Sequence, residues 1–115
     1  MFGGVEPAME AVAWLERPMV IQVRGEIQPI EQEAVSAARA GASVIMVDTG
    51  NPRDLDLVGQ TLRRNNSRSR VQLAFSGNID LESIDEICSG DVDVLDIGYA
   101  ILDAPCLPMR FDVIR

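Results

Sequence analysis

The chain has 115 residues, a formal net charge of −8, 47% hydrophobic residues and only three Phe, one Trp and one Tyr. A chain of this length reads as one domain that buries roughly 65% of its unfolded surface without disulfide or metal support. All ten basic residues are arginine and histidine is absent, which excludes lysine Schiff-base chemistry by this chain alone and removes the commonest general base and metal ligand.

The acidic balance argues against nucleic acid as a partner. No apolar run approaches the ~20 residues of a membrane span, and the N-terminus lacks a basic stretch followed by an apolar one. The expectation is a soluble, cytoplasmic protein with no membrane partner. Cys88 and Cys106 form no C-x-x-C pair, so they read as buried or half-buried free thiols rather than a zinc or redox centre.

In chain order, "PAMEAVAWLER" (7–17) predicts a helix with Ala8, Val12 and Leu15 near one face. It belongs to an N-terminal segment, 1–18, in which Trp14 and Leu15 are expected to pack on the sheet or on a neighbouring subunit. "MVIQV" (19–23) predicts a strand. Pro29 at a first helical position and Gly41 just past the last turn bracket a second helix. "SVIMV" (43–47) is a continuous apolar strand, as in a parallel sheet buried on both faces. Asn51 caps the next helix and Pro52 starts it, with Leu55, Val58 and Leu62 as its buried stripe and an end near Arg64. After the polar connector "RNNSRSR", "VQLAF" (71–75) predicts the third strand. Asp80 can then cap a helix carrying Leu81, Ile84 and Ile87. "VDVLDI" (92–97) predicts the fourth strand, followed by a tail with two prolines.

Strand–helix alternation of this kind predicts an α/β fold of four βα units with parallel strands in a single domain, 1–115. Four units are half of the eight that close a barrel. The sheet is then either open and covered by helices on both faces, or half of a TIM-type barrel whose edges are completed by self-association into a homo-oligomer.

Two longer stretches carry a family resemblance. They are "AARAGASVIMVDTGNPRDL" and "VQLAFSGNIDLESIDEICSGDVDVLDIGYAILDAP", and the ending "LPMRFDVIR" adds to them. They resemble the strand-end aspartate, Ser-Gly turn, Gly-containing loop and last strand of the barrel domain of quinolinate phosphoribosyltransferase, the carboxylating nicotinate-nucleotide pyrophosphorylase. The resemblance covers roughly four-fifths of the chain and well under half of a full-length enzyme. It implies a half-barrel fold, a phosphorylated small molecule as ligand and Mg²⁺ as the cofactor of phosphoribosyl transfer. By position it implies Asp48 at the ribose and metal, Ser76, Gly77 and Asn78 at a phosphate turn, and Gly98 with Tyr99 at the last phosphate-facing loop. Glu26 is the only carboxylate in "IQVRGEI", where the family has Glu-Val-Glu, and joins Asp48 as a weak metal candidate; Asp103 is a third acid that loop convergence would have to bring in.

The departures lie in the same places. Ala74 stands for the family's glutamate before the Ser-Gly turn, Asn78 for its second glycine and Thr49 for the asparagine after the strand-end aspartate. The family's preceding domain has no counterpart in the matched stretches. The expectation is a divergent, catalytically incomplete relative that keeps a phosphate or nucleotide site at its strand ends. The alternative is a non-catalytic structural or interaction protein acting as a homo-oligomer.

The residues themselves leave bland readings open. Asp48 is either a ligand-facing carboxylate or a turn acid. Ser76-Gly77-Asn78 is either an anion site at a helix start or a tight connection that needs permissive backbone angles. Asp96 is expected to find a partner such as an arginine, or solvent. Arg63, Arg64, Arg68 and Arg70 form either an anion patch or a solvated helix C-terminus.

Overall fold

A computed structural model describes residues 4–12 and 17–98. The expectations for Trp14, Leu15, Tyr99, Asp103, Cys106 and the ending "LPMRFDVIR" lie outside those residues.

Helix α1 (Val5–Val12) precedes strand β1 (Val20–Val23), α2 (Ile30–Arg39), β2 (Val44–Asp48), α3 (Pro52–Arg64), a single 3₁₀ turn at Arg68–Arg70, β3 (Gln72–Ser76), α4 (Ile84–Cys88) and β4 (Val94–Asp96). The four strands form one sheet in the order β1-β2-β3-β4, and all three pairings are parallel. The α/β half-barrel expectation is therefore met. Each strand is joined to the next by a helix, as parallel neighbours require.

The helices end where local chemistry stops them. Asn51 accepts a hydrogen bond from the Arg53 N–H at 3.1 Å and Pro52 opens α3, as the sequence predicts. Pro29 differs from expectation. It is the N-cap residue of α2 rather than its first helical residue, a boundary shift of one position. Gly41 follows α2 at φ +92, with the Ala42 N–H donating to the Ala37 carbonyl and the Gly41 N–H to the Ala38 carbonyl. Asn66 repeats the device after α3 at φ 55, with the Ser67 N–H donating to the Leu62 carbonyl and the Asn66 N–H to the Arg63 carbonyl. These are Schellman closures, which satisfy the last carbonyls of a helix through one left-handed residue.

Pairing places Ile21–Ile45–Leu73 and Val23–Val47–Phe75 in neighbouring rows on one face of the sheet. That face packs on Ile30, Ala34 and Ala37 of α2, Leu55, Val58 and Leu62 of α3, and Ile87 of α4, forming one aliphatic core. The opposite face carries Val20, Gln22, Gln72 and Val94, all exposed, with Val44 and Met46 half-buried and Ala74 buried among them. Helices thus cover one face among the described residues, which corrects the option of helices on both faces and favours the half-barrel. That face mixes polar positions (Gln22, Gln72) with apolar ones (Val20, Val44, Met46, Val94), and its outer strands leave Val20 and Val94 exposed.

Two details of α4 also depart from the sequence reading. Leu81 is 65% exposed and precedes the helix, because residues 81–83 form a turn before Ile84. Cys88 is an exposed free thiol rather than a buried one; it closes a five-residue helix of which only Ile87 is buried.

Candidate functional site

The C-terminal ends of parallel strands converge on one rim, where α/β sheets place their ligands. Asp48 pairs with Ser76 across β2 and β3, and Ser76 with Asp96 across β3 and β4. Arg24 directly follows Val23, whose partner is Val47, so it extends the same row. The alternation of strand side chains turns all four away from the helix-covered face. The row therefore reads Arg24, Asp48, Ser76, Asp96.

Arg24 closes onto Asp48. Its Nε and Nη2 lie 2.8 and 2.7 Å from Asp48 Oδ2, and Nη2 also donates to Gln22 Oε1 at 3.1 Å. The hydrogen bond and charge of Asp48, with a smaller contribution from the charge of Glu26, hold the guanidinium above its ordinary pKa. Glu33 fixes the loop beneath. This buried carboxylate on α2 accepts from the backbone N–H groups of Arg24 and Gly25 at 3.0 Å each, and from that of Ile27 at 3.4 Å. Bonds of this kind between a carboxylate and main-chain amides are strong enough to order a loop.

At the other end of the row the Ser76 hydroxyl donates to Asp96 Oδ2 at 3.4 Å. Asp96, exposed, thus meets a serine and solvent instead of an arginine. Gly77 and Asn78 follow at φ 107 and 49. The Gly50 N–H donates to the Ser76 carbonyl at 3.1 Å, and a Cβ on Gly77 would fall 2.6 Å from the Gly50 nitrogen. The loops after β2 and β3 are thus packed backbone on backbone, which gives Gly77 a steric reason independent of any ligand. Gly98, two residues beyond β4, has open space around it.

Asp80 caps the turn before α4 rather than the helix itself. Its Oδ1 accepts the Ser83 N–H at 2.8 Å, which draws its pKa below the usual value, while Ser83 occupies the N-cap of α4.

Arg63 and Arg64 lie exposed in the last turn of α3, as the solvated reading expects, whereas Arg68 has a different role from either expectation. Arg68 pairs with Asp91 at 2.7 Å and Asp93 at 2.9 Å, and Arg63 reaches Asp91 at 2.9 Å. This network ties α3 to the loop before β4. The pairing crosses 23 positions of chain, which charge spacing cannot reveal.

Sequence reasoning therefore found Asp48, Ser76, Gly77 and Asn78 at the rim, and missed Arg24 and Glu33. The available signal for Arg24 was its position one residue past β1, equivalent to the ends of β2 and β3.

Magnesium fits poorly here. Of its two candidate ligands, Asp48 is paired with Arg24, and Glu26 is exposed on the loop after β1. No group of three or more His, Cys, Asp or Glu residues suited to a metal occurs among the described residues. A cavity of about 420 Å³ runs along β1 beneath α1, lined by Val5, Ala8, Ile21 and Glu33, and meets the rim at Arg24 and Glu26.

The fold matches a known architecture. A family model for the quinolinate phosphoribosyl transferase C-terminal domain covers residues 1–112. The probable nicotinate-nucleotide pyrophosphorylase [carboxylating] of Archaeoglobus fulgidus is 30% identical over 113 residues, 98% of this chain and 42% of that protein. The nicotinate-nucleotide pyrophosphorylase [carboxylating] of Homo sapiens is 32% identical over 105 residues, 91% of this chain and 34% of that protein. The structure of the nicotinate-nucleotide pyrophosphorylase from Francisella tularensis superposes with a TM-score of 0.66 at 26% identity, over 84% of this chain and 32% of that one. The chain thus spans less than half the length of these relatives. It belongs to the quinolinate phosphoribosyl transferase C-terminal domain family.

Proposed function

We propose that this chain is a divergent member of its family that binds a phosphorylated small molecule at the strand-end rim without completing phosphoribosyl transfer. The observation that carries the reading is the interlocked pair of glycine turns, Gly50 against Gly77, beside Ser76 at the strand ends. The Gly50 N–H is already given to the Ser76 carbonyl, so the amides that follow Ser76 are the ones such a turn offers to an anion. Incompleteness is supported by Ala74, buried and without a charge where the resemblance implies a glutamate, and by the Arg24–Asp48 pair.

The rim's electrostatics set the expected strength. Arg24 faces Asp48 and Asp96 in one row, so a phosphate meets one cation and two acids. Binding of phosphoribosyl pyrophosphate is expected near 1 mM, about 4 kcal/mol. Calorimetric or NMR titration checks it, and silence at about 10 mM would sink the reading.

A second reading, homo-oligomeric assembly, is favoured by the sheet face that no described helix covers. Val20 is 55% and Val94 40% exposed there, whereas parallel sheets are ordinarily buried on both faces. A second copy of the chain is the proposed cover. Tyr99 and Gly98 as ligand contacts, and a cytoplasmic location, remain part of the first reading. No helix among the described residues is long and apolar enough to cross a membrane.

A further inference from the structure

We infer that Arg24 is the resident cation of this rim and stands where a divalent metal would have to bind, so that Asp48 and Glu26 form no metal site. Three observations carry this. Both guanidinium contacts, Nε at 2.8 Å and Nη2 at 2.7 Å, fall on the single oxygen Asp48 Oδ2. Glu26, the other candidate acid, is exposed two residues further along the loop that Arg24 opens. Glu33 pins the Arg24 and Gly25 backbone from below at 3.0 Å each, so the side chain departs from a fixed point.

A hard dication needs several oxygen ligands around an open centre. Here the centre is filled by a group with a positive charge of its own. Mg²⁺ bound through the other oxygen, Asp48 Oδ1, would sit beside the guanidinium and meet its charge, and bidentate binding would also displace the two contacts on Oδ2. A phosphate group reaching the rim is met by Arg24 directly, and its binding does not require a metal. That last step rests on the anion site proposed above; the exclusion of metal does not.

Manganese, whose paramagnetism reports binding directly, tests the exclusion on the 115-residue chain. The expected result is no bound Mn²⁺ in the wild-type protein at about 1 mM metal. Arg24→Glu replaces the cation with a second carboxylate and should gain Mn²⁺ binding by at least about tenfold. Arg24→Glu combined with Asp48→Asn should lose that gain. Arg24→Gln, which only removes the charge, serves if circular dichroism shows the glutamate variant unfolded. Wild-type Mn²⁺ binding that Asp48→Asn abolishes would overturn the inference, as would folded Arg24 variants that gain nothing.

Titration with inorganic pyrophosphate in EDTA and in excess Mg²⁺ tests the consequence. Affinities equal within about twofold support it, and binding seen only with Mg²⁺ overturns it. Absence of binding in both buffers removes the proposed anion site, while the Mn²⁺ result still decides the place of Arg24.

Discussion

Arg68 is the side chain on which the lower end of the sheet depends. Its Nε bonds both Asp91 oxygens at 2.9 Å, and Nη1 donates to the Val71 carbonyl at 3.1 Å. Asp93 Oδ2 accepts from Arg68 and also from the Leu73 N–H at 2.8 Å. One arginine therefore holds the start of β3 and the approach to β4 together. The side chains of Arg68 and Asp91 are only 16% and 19% exposed, so removing the cation leaves Asp91 to the exposed Arg63 and Asp93 to the Leu73 N–H. Arg68→Met should destabilise by about 2 kcal/mol, between the values for surface and buried pairs; chemical denaturation measures it.

The same group gives a pH dependence of definite sign. The Leu73 N–H, and after it Arg68, hold the Asp93 carboxyl below its ordinary pKa. A folded-state pKa below the unfolded one stabilises the fold above the unfolded value of about 4, and that contribution is lost as acid titrates the folded carboxylate. The melting temperature should fall as pH drops below about 4, and less steeply in Asp93→Asn. A wild-type and Asp93→Asn pair with parallel pH profiles would contradict the assignment. None of this was legible in the sequence, where Arg68 is one of four arginines in eight positions. Its partners become neighbours only once parallel pairing brings Leu73 beside the segment that precedes Val94.

At the scale of elements the sequence was far more informative, because strand period, apolar stripe and cap chemistry are local properties. Three of the four strand positions expected from apolar runs shift by a single residue, and the stripe Leu55, Val58 and Leu62 is buried as expected. The exceptions are instructive. Leu81 was counted into a helix because it fits the spacing with Ile84, yet Asp80 and Ser83 tie residues 80–83 into a turn of their own through the Ser83 N–H and hydroxyl. Side chains that bond nearby backbone compete with helix formation, and here that competition wins. The pairing of Arg24 was illegible for a different reason. Its partner Asp48 lies 24 positions away, and only the β1–β2 register aligns the two.

The loops offer two contrasting substitutions. Asn66 occupies a left-handed position, φ 55, that closes α3; Asn66→Gly should be neutral or slightly stabilising, whereas Asn66→Ala should cost about 1 kcal/mol. Gly77 is more demanding. It combines φ 107 with a Cβ position 2.6 Å from the backbone of Gly50, and neither atom belongs to a side chain that can swing away. Gly77→Ala should destabilise by about 2–3 kcal/mol and shift the amide resonances of residues in both loops. Resonance changes confined to the β3–α4 loop would show that the two turns are not interlocked.

The whole molecule poses the question of what covers the second face of its sheet. Four parallel strands in sequential order form half of an eight-stranded ring. Their helix-covered face is complete, with Ile45, Val47, Leu73 and Phe75 at no more than 1% exposure. Val20 and Val94 stand on the other face, at β1 and β4 respectively, the two outer strands of the sheet. Burying the part of each valine that is still exposed is worth under about 1 kcal/mol, so a second copy seated on this face gains apolar contact from both sides of the pairing. The expected outcome is a concentration-dependent dimer in sedimentation velocity at micromolar protein. Val20→Glu with Val94→Glu should shift it to the 12.5 kDa monomer, because two carboxylates per copy would then be desolvated without partners. The fold should survive, since both side chains lie outside the aliphatic core. A wild-type protein that stays monomeric up to about 100 µM would remove the assembly reading and leave the anion reading of the Arg24–Asp48 rim to be decided by its own titrations.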